Sequence, residues 1–164
     1  MGGKLRNMSG LYLRRGDQLL LLYRIGSKVI SDSYTASAGG HFEEEELNNA
    51  KACVLRELYE ETGLTEQDID NLSLRYVTIR LKNGELRQNY YFFADLIDNE
   101  KKINSNEGNL EWFQMEELLK NPPEMPFTAQ YVIKHYVEIG KNTDVLYAGI
   151  ATKDGVVFTE MEEF

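Results

Sequence analysis

The stretch Gly39–Leu64, GGHFEEEELNNAKACVLRELYEETGL, constrains this chain more than any other. It runs from a glycine pair through an acidic loop into a segment with signals for both ends of a helix. Asn48 or Asn49 can cap the first turn, and Gly63 stands where a left-handed residue ends a helix. Between them Ala50, Val54 and Leu58 recur every four residues, the stripe of a helix laid on a core. Glu57, Glu60 and Glu61 stand at i, i+3 and i+4, so three carboxylates share one side of the cylinder. Like charges at that spacing repel by roughly 0.2–0.5 kcal/mol per pair. Glu57 and Glu61 edge the apolar stripe rather than oppose it, and Arg56 is at hand to pair with a carboxylate. A cation over the glutamates removes the repulsion, and a phosphate on the cation gives it a purpose. A solvated acidic helix face is the plainer alternative. The glycine pair counts against it, because bare backbone offers a carbonyl to a metal or lets a phosphate approach.

The rest of the chain alternates strand and turn signals. Met8–Arg14 and Gln18–Tyr23 are apolar runs on either side of Arg15-Gly16-Asp17, which predicts a hairpin with Leu19–Leu22 in a central strand. Ile25–Ser37 reads as a loop. Thr65–Ile69 fits a single turn capped by Thr65, with Asp68 three residues on. Asn83-Gly84 between Leu72–Leu81 and Leu86–Ile97 is the strongest hairpin signal in the chain. Asp98–Asn109 reads as a loop, Glu111–Phe113 as a short strand and Met115–Lys120 as a helix. After Pro122, Pro123 and Pro126, residues Ala129, Val132, Ile133, Tyr136 and Val137 follow a helical core pattern. Val145–Ala151 and Val156–Met161 around Asp154-Gly155 predict a terminal hairpin. The whole implies an α+β domain, an antiparallel-rich sheet with helices packed on it.

Length and charge narrow the function. A chain of 164 residues suits one domain over 1–164, with 142–164 as a C-terminal hairpin extension. No apolar run approaches the ~18 residues of a membrane helix, and no signal-peptide core precedes the first strand. A cytoplasmic protein with no membrane partner is expected. The formal charge of −9 argues against a basic face that tracks long nucleic acid. It leaves room for a small phosphorylated ligand if divalent metal bridges the two sets of negative charge. Cys53, the single cysteine, lies mid-helix beside Val54 and reads as a buried thiol.

The motif resembles the signature of the Nudix hydrolase family, G-x5-E-x7-R-E-U-x-E-E-x-G-U, with U a bulky aliphatic residue. Arg56-Glu57-Leu58-Tyr59-Glu60-Glu61-Thr62-Gly63-Leu64 matches every specified position of its second half. Gly40 and Glu46 match the first half, and the residues from Leu47 to Leu55 exceed the usual spacing by two. That extension leaves the first glutamate open among Glu43 to Glu46. The resemblance implies a Nudix-like α/β/α sandwich with a mixed, largely antiparallel sheet and the C-terminal β-hairpin added to it. It implies hydrolysis of a nucleoside diphosphate linked to another group, with Mg²⁺ as cofactor and Mn²⁺ able to substitute. Carried over by position, Glu57, Glu60 and Glu61 become metal ligands, joined by a backbone carbonyl of Gly39 or Gly40. Arg56 and Glu46 become supporting residues, and Glu60 and Glu61 take part in catalysis. Glu107, in Asn106-Glu107-Gly108, is the candidate for an additional catalytic acid, with Glu111 its substitute.

Substrate recognition is written less clearly. Tyr90 and Phe92 share a strand face and could stack a base, and Gln130 sits roughly where purine-triphosphate relatives place a base-reading amide. Arg24, Arg75, Arg80 and Arg87 are candidate phosphate contacts. The first expectation is a pyrophosphohydrolase of nucleoside triphosphates, oxidised purine ones included, that releases a monophosphate and pyrophosphate. A hydrolase of ADP-ribose or a nucleotide sugar stays open, as does a module that senses a nucleotide without cleaving it. The expected partner is a small-molecule nucleotide, bound by a monomer or a homodimer.

Overall fold

The computed structural model describes residues 2–26 and 32–164. Its elements run β1 (Lys4–Arg15), β2 (Gln18–Arg24), β3 (Tyr34–Thr35), β4 (Ala38–His41), α1 (Ala50–Thr62), β5 (Ile69–Lys82), β6 (Glu85–Leu96), β7 (Gly108–Gln114), α2 (Met115–Lys120), α3 (Phe127–Glu138), β8 (Tyr147–Thr152) and β9 (Gly155–Glu160), with single 3-10 turns at Glu44–Glu46, Glu66–Asp68 and Gly140–Asn142. Among the described residues, nine strands form one mixed sheet. The β1–β6 and β5–β8 pairings are parallel and the others antiparallel, in agreement with the α+β expectation.

Local chemistry explains the principal helix. The Asn49 side chain accepts from the Ala52 N–H at 3.0 Å, so Asn49 is the cap. Gly63 closes the helix in the left-handed region at φ 76°, its N–H donating to Tyr59 O. Val54 and Leu58 are fully buried on one face of the sheet with Leu11, Leu13, Leu20 and Phe92. The other face carries α2 and α3, whose Met115, Leu118, Val132, Ile133 and Tyr136 pack on Tyr12, Leu19, Tyr76 and Phe93. Phe93 and Tyr136 stack at 3.7 Å between centroids. The sheet therefore lies between α1 and the α2–α3 pair, a three-layer sandwich.

The site is made possible by a fork in this sheet. The whole of β1 from Lys4 to Arg14 pairs with β6 along one edge, so β2 and β4 must share the other. Strand β2 takes residues 13–15 of β1, and β4 takes residues 8–11. By the same reasoning β7 covers one edge of β2, while β1 and β3 divide the other. Residues 34–41 thus fill the gap where β1 and β2 diverge. At its apex the fully buried Ser37 hydroxyl donates to Leu20 O at 2.6 Å and accepts from Leu13 N–H at 2.9 Å. It supplies the ladder bonds that the diverging strands no longer make to each other.

Three expectations need correction. The loop at Ile25–Ser37 contains the two-residue strand β3, because Tyr34 and Thr35 complete the free edge of β2; Ser27–Ser31 lie outside the described residues. The strand at Glu111–Phe113 begins earlier, at Gly108, since β2 offers it partners as far as Arg24. Arg75, a candidate phosphate contact, is only 4% exposed and donates to the carbonyls of Gly140, Thr143 and Val145. It anchors the link between α3 and β8. The terminal hairpin extends the sheet through β8 against β5 and leaves β9 as an edge. No helix among the described residues is long and apolar enough to cross a membrane.

The fork predicts a measurable cost. Ser37→Ala strands a buried N–H and a buried carbonyl, and urea denaturation should register a loss of about 2–4 kcal/mol. A loss below about 0.5 kcal/mol would mean that β1 and β2 close without the hydroxyl.

Candidate active site

Strand β4 brings its glycines under α1. A side chain at Gly39 would run into the Ser9 carbonyl across the β1–β4 ladder, and a Cβ at Gly40 would fall on the Glu57 carboxylate. Bare backbone is thus required twice, once to pair with β1 and once to let a glutamate lie flat on the strand. One turn of helix later along the same face comes Glu61, and the loop before β7 brings Glu107 beside it. Asn106 fixes that loop: its N–H donates to Glu61 O at 3.1 Å and its side-chain amide to Glu60 O at 2.9 Å. One residue of the loop therefore satisfies open carbonyls at the end of α1 and delivers the next residue to the site.

Arg56 is the hub of the charges. Its Nε and Nη2 bind the two Glu46 oxygens at 2.6 and 3.0 Å, its Nη1 reaches Glu57 at 2.9 Å and Glu60 at 3.0 Å, and Nη2 also donates to His41 O. Glu46, 5% exposed, is the buried member of the acidic loop, and the arginine holds its carboxyl down at about 2. Glu46 also accepts from the Glu43 N–H, which closes the 3-10 turn Glu44–Glu46. Arg56 and Glu46 bind each other and are turned away from open solvent.

Glu61 is the opposite case. Burial, reinforced by the negative charges of Glu57 and Glu107, pushes its carboxyl up to about 8, against some relief from the Gly39 backbone and Arg24. Its Oε2 is buried with no hydrogen-bond partner. Glu57 is also raised, chiefly by burial, even with Arg56 beside it. Glu107 is half exposed and accepts from Arg24 Nη2 at 2.7 Å. Cys53 lies between α1 and strands β1 and β4, 3.1 Å from Ser9 Oγ, and burial pushes its thiol up to about 11, which disarms it as a nucleophile.

Among the described residues, no three acidic, histidine or cysteine side chains are already gathered tightly enough to hold an ion. Arg56 draws one oxygen each from Glu57 and Glu60. The residues still fit a divalent cation. Glu61 presents an unpartnered buried oxygen, Glu57 lies on the Gly40 backbone, and all donors are hard oxygens.

The substrate candidates scatter. Tyr90 is partly buried on the α1 side and packs on the Phe42 ring at 5.2 Å. Phe92 is a correction: it is 4% exposed inside the core beneath α1 and has no face to offer a base. Gln130 belongs to α3, across the sheet from the glutamates, and spends its amide on Met125 O at 2.8 Å. Glu111 is held by the Tyr34 hydroxyl at 2.7 Å. Ser37, Asn106 and the Arg24–Glu107 pairing went unread in the sequence, where a serine or an asparagine in a loop carries no mark of the distant strand it will meet.

A family model of the NUDIX domain matches residues 4–136, and the chain belongs to that family of hydrolases, as a pyrophosphohydrolase acting on acid anhydrides. Solved structures agree on the fold. A MutT protein from Bacillus halodurans is 22% identical, with a TM-score of 0.61 over 94% of this chain and 97% of its own. A NUDIX hydrolase from Nitrosomonas europaea is 18% identical, with a TM-score of 0.70 over 93% of this chain and 82% of its own. An Ap4A hydrolase from C. elegans is 19% identical, with a TM-score of 0.56 over 83% and 90%. No curated protein matches the sequence.

The burial of Glu61 has a testable consequence without metal. Its folded pKa of about 8 lies above the ordinary 4.5, so the folded state keeps a proton that the unfolded chain releases. The stability tied to this proton is full below pH ~4.5 and is lost as pH rises through ~8. Glu61→Gln cannot ionise, so in chelator at pH 8.5 it should melt a few degrees above wild type, with the difference gone near pH 4. Calorimetry from pH 4 to 9 reads this directly; parallel curves for the two proteins would mean a solvated carboxylate.

Proposed function

We propose that this protein is a metal-dependent hydrolase of nucleoside diphosphate-linked substrates, working as one domain over 1–164 in which 142–164 form an added hairpin. The first candidate substrate is a nucleoside triphosphate, oxidised purine forms included, cut to a monophosphate and pyrophosphate. The observation that carries this reading is the unpartnered, buried Glu61 oxygen beside Glu57 on a strand where two glycines leave the backbone bare. Mg²⁺, or Mn²⁺ in its stead, would be held by Glu57, Glu60 and Glu61 with a carbonyl of Gly39 or Gly40. Such an ion neutralises a pyrophosphate and makes a bound water more acidic.

The protein's own groups have separable tasks. Arg56 orients Glu57 and Glu60 and keeps Glu46 ionised beneath them. Glu61 would serve as the ionised carboxylate on the metal, and Glu107 beside it is the candidate to receive the proton of an attacking water. Arg24 holds Glu107 in place. Tyr90 stays a candidate for substrate contact through its exposed part, whereas Phe92 is buried in the core and Gln130 gives an amide N–H to Met125 O. The full glutamate set weighs against a module that only senses a nucleotide.

A substrate panel with product identification tests the reading: nucleoside triphosphates, ADP-ribose and nucleotide sugars, each with Mg²⁺ and Mn²⁺. Turnover that depends on metal is expected, and Glu61→Gln should lower kcat by about 10²–10⁴-fold while the protein stays folded. Failure of the wild type on every member would favour the sensing module. Glu107→Ala should lower kcat and shift its pH profile. Full activity across pH in that variant would remove Glu107 from the site.

A further inference from the structure

The face of the sheet opposite α1 carries a row of arginines that the proposed chemistry does not use. Register aligns Arg6 of β1 with Arg87 of β6, and Arg87 with Arg80 of β5. All three stand an even number of residues from side chains that bury toward α3: Tyr12 on β1, Tyr91 and Phe93 on β6, Tyr76 on β5. They therefore project on the α3 side. The next row outward is Lys4, Glu85 and Lys82, again aligned across the same strands. Five cations thus surround one carboxylate, a local charge of +4, on a protein whose overall formal charge is −9.

The counter-charges do not balance this row. Glu85 pairs with Arg87 at 2.9 Å and with Lys4 at 3.5 Å. Among the described residues, Arg6, Arg80 and Lys82 have no carboxylate within salt-bridge reach. Arg80 rests its guanidinium over the Phe127 ring at 4.9 Å, and Arg6 donates its Nε to His41 Nε2 at 2.8 Å. Both contacts engage part of each guanidinium and leave its charge uncompensated. Like charges directly opposite one another destabilise a sheet, so three arginines in one cross-strand row act against the fold. A ligand that supplies the missing negative charge accounts for them.

Position ties the row to the glutamate site. Gly40 pairs with Ser9, and Arg6 lies three residues farther along β1, about 10 Å at ~3.4 Å per residue. His41 follows Gly40 directly and turns its ring to Arg6 on the far side of the strand. From Arg6 to Arg80 are two further strand spacings, again about 10 Å. The row and the glutamates lie on opposite faces of the sheet, so a ligand that spans them passes round the edge of β1 at residues 4–6, beyond its pairing with β4.

We propose that Arg6, Arg87 and Arg80 form a second anion subsite that binds a phosphate of the substrate lying beyond the cleaved anhydride. The ligand class is a nucleotide with an added phosphate, either a longer polyphosphate or a phosphomonoester on its far ribose. This rests on the hydrolase reading above.

Two measurements separate the ideas. Calorimetric binding of inorganic tripolyphosphate, with metal omitted, needs no turnover. Arg80→Gln/Arg87→Gln should weaken it about tenfold or more and lower its salt dependence, with a melting temperature equal to or above that of wild type. Kinetics then compare substrate pairs alike except for one phosphate: a nucleoside triphosphate with its tetraphosphate, and a dinucleotide with its ribose-phosphorylated form. Wild type should prefer the added phosphate in at least one pair, and the double variant should lose that preference through KM with kcat kept. Equal loss on both members of each pair, or unchanged tripolyphosphate binding, overturns the subsite. So does inhibition by tripolyphosphate that acts on kcat without competing with the phosphate-bearing substrate, because the anion would then be an independent effector. If wild type turns over no substrate yet the variant loses tripolyphosphate binding, the hydrolase reading fails while the anion site stands.

Discussion

The hydroxyl of Ser37 is the point on which the arrangement depends. Two strands that begin as a tight hairpin must separate, and separation strands backbone groups in a dry interior. Ser37 meets one such group on each strand, Leu13 N–H and Leu20 O, and so converts a defect in the ladder into a fork. Everything functional follows from the space this opens. Strand β4 enters it with two residues that lack side chains, and α1 lowers Glu57 onto them. A continuous β1–β2 ladder would close the edge of β1 that β4 now occupies.

Charge is arranged around the fork in two opposed ways. Glu46 is buried and fully compensated by Arg56, so its ionised form is stabilised and the acidic loop is held down. Glu61 is largely buried and only partly compensated, so its ionised form is disfavoured. Both carboxylates come from one short motif; the difference lies in whether a guanidinium reaches them. A buried charge without a partner costs several kcal/mol in general. That cost is typical of places where a ligand completes the electrostatics, and it is concentrated here at the end of α1 that Asn106 ties to the Glu107 loop. The arginine row across the sheet repeats the pattern with the sign reversed. Like charge is gathered at the expense of the isolated fold, where a bound anion would relieve it.

Much of this could be read from the chain. The caps of α1, its inward stripe, the Asn83-Gly84 hairpin and the core positions of α3 all depend on neighbours within a few residues, and local periodicity reveals them. The spacing of Glu57, Glu60 and Glu61 belongs to the same class, because a helix alone dictates which side chains share a face. Phe92 and Arg75 were misread for a related reason. Each stands in a strand, and which strand face meets a helix depends on elements far along the chain. Ser37, Asn106 and Arg24 carry no local signature, since each acts on a partner brought near only by folding.

By itself, the sequence determined the family motif, the helix that bears it and the crowding of its carboxylates, because these follow from covalent spacing on a regular helix. The tertiary structure alone decided which acid of the loop Arg56 takes, which glutamate is left without a partner, and that Arg6, Arg80 and Arg87 lie side by side. These facts depend on strand register, and register is settled by packing between segments that the sequence keeps far apart.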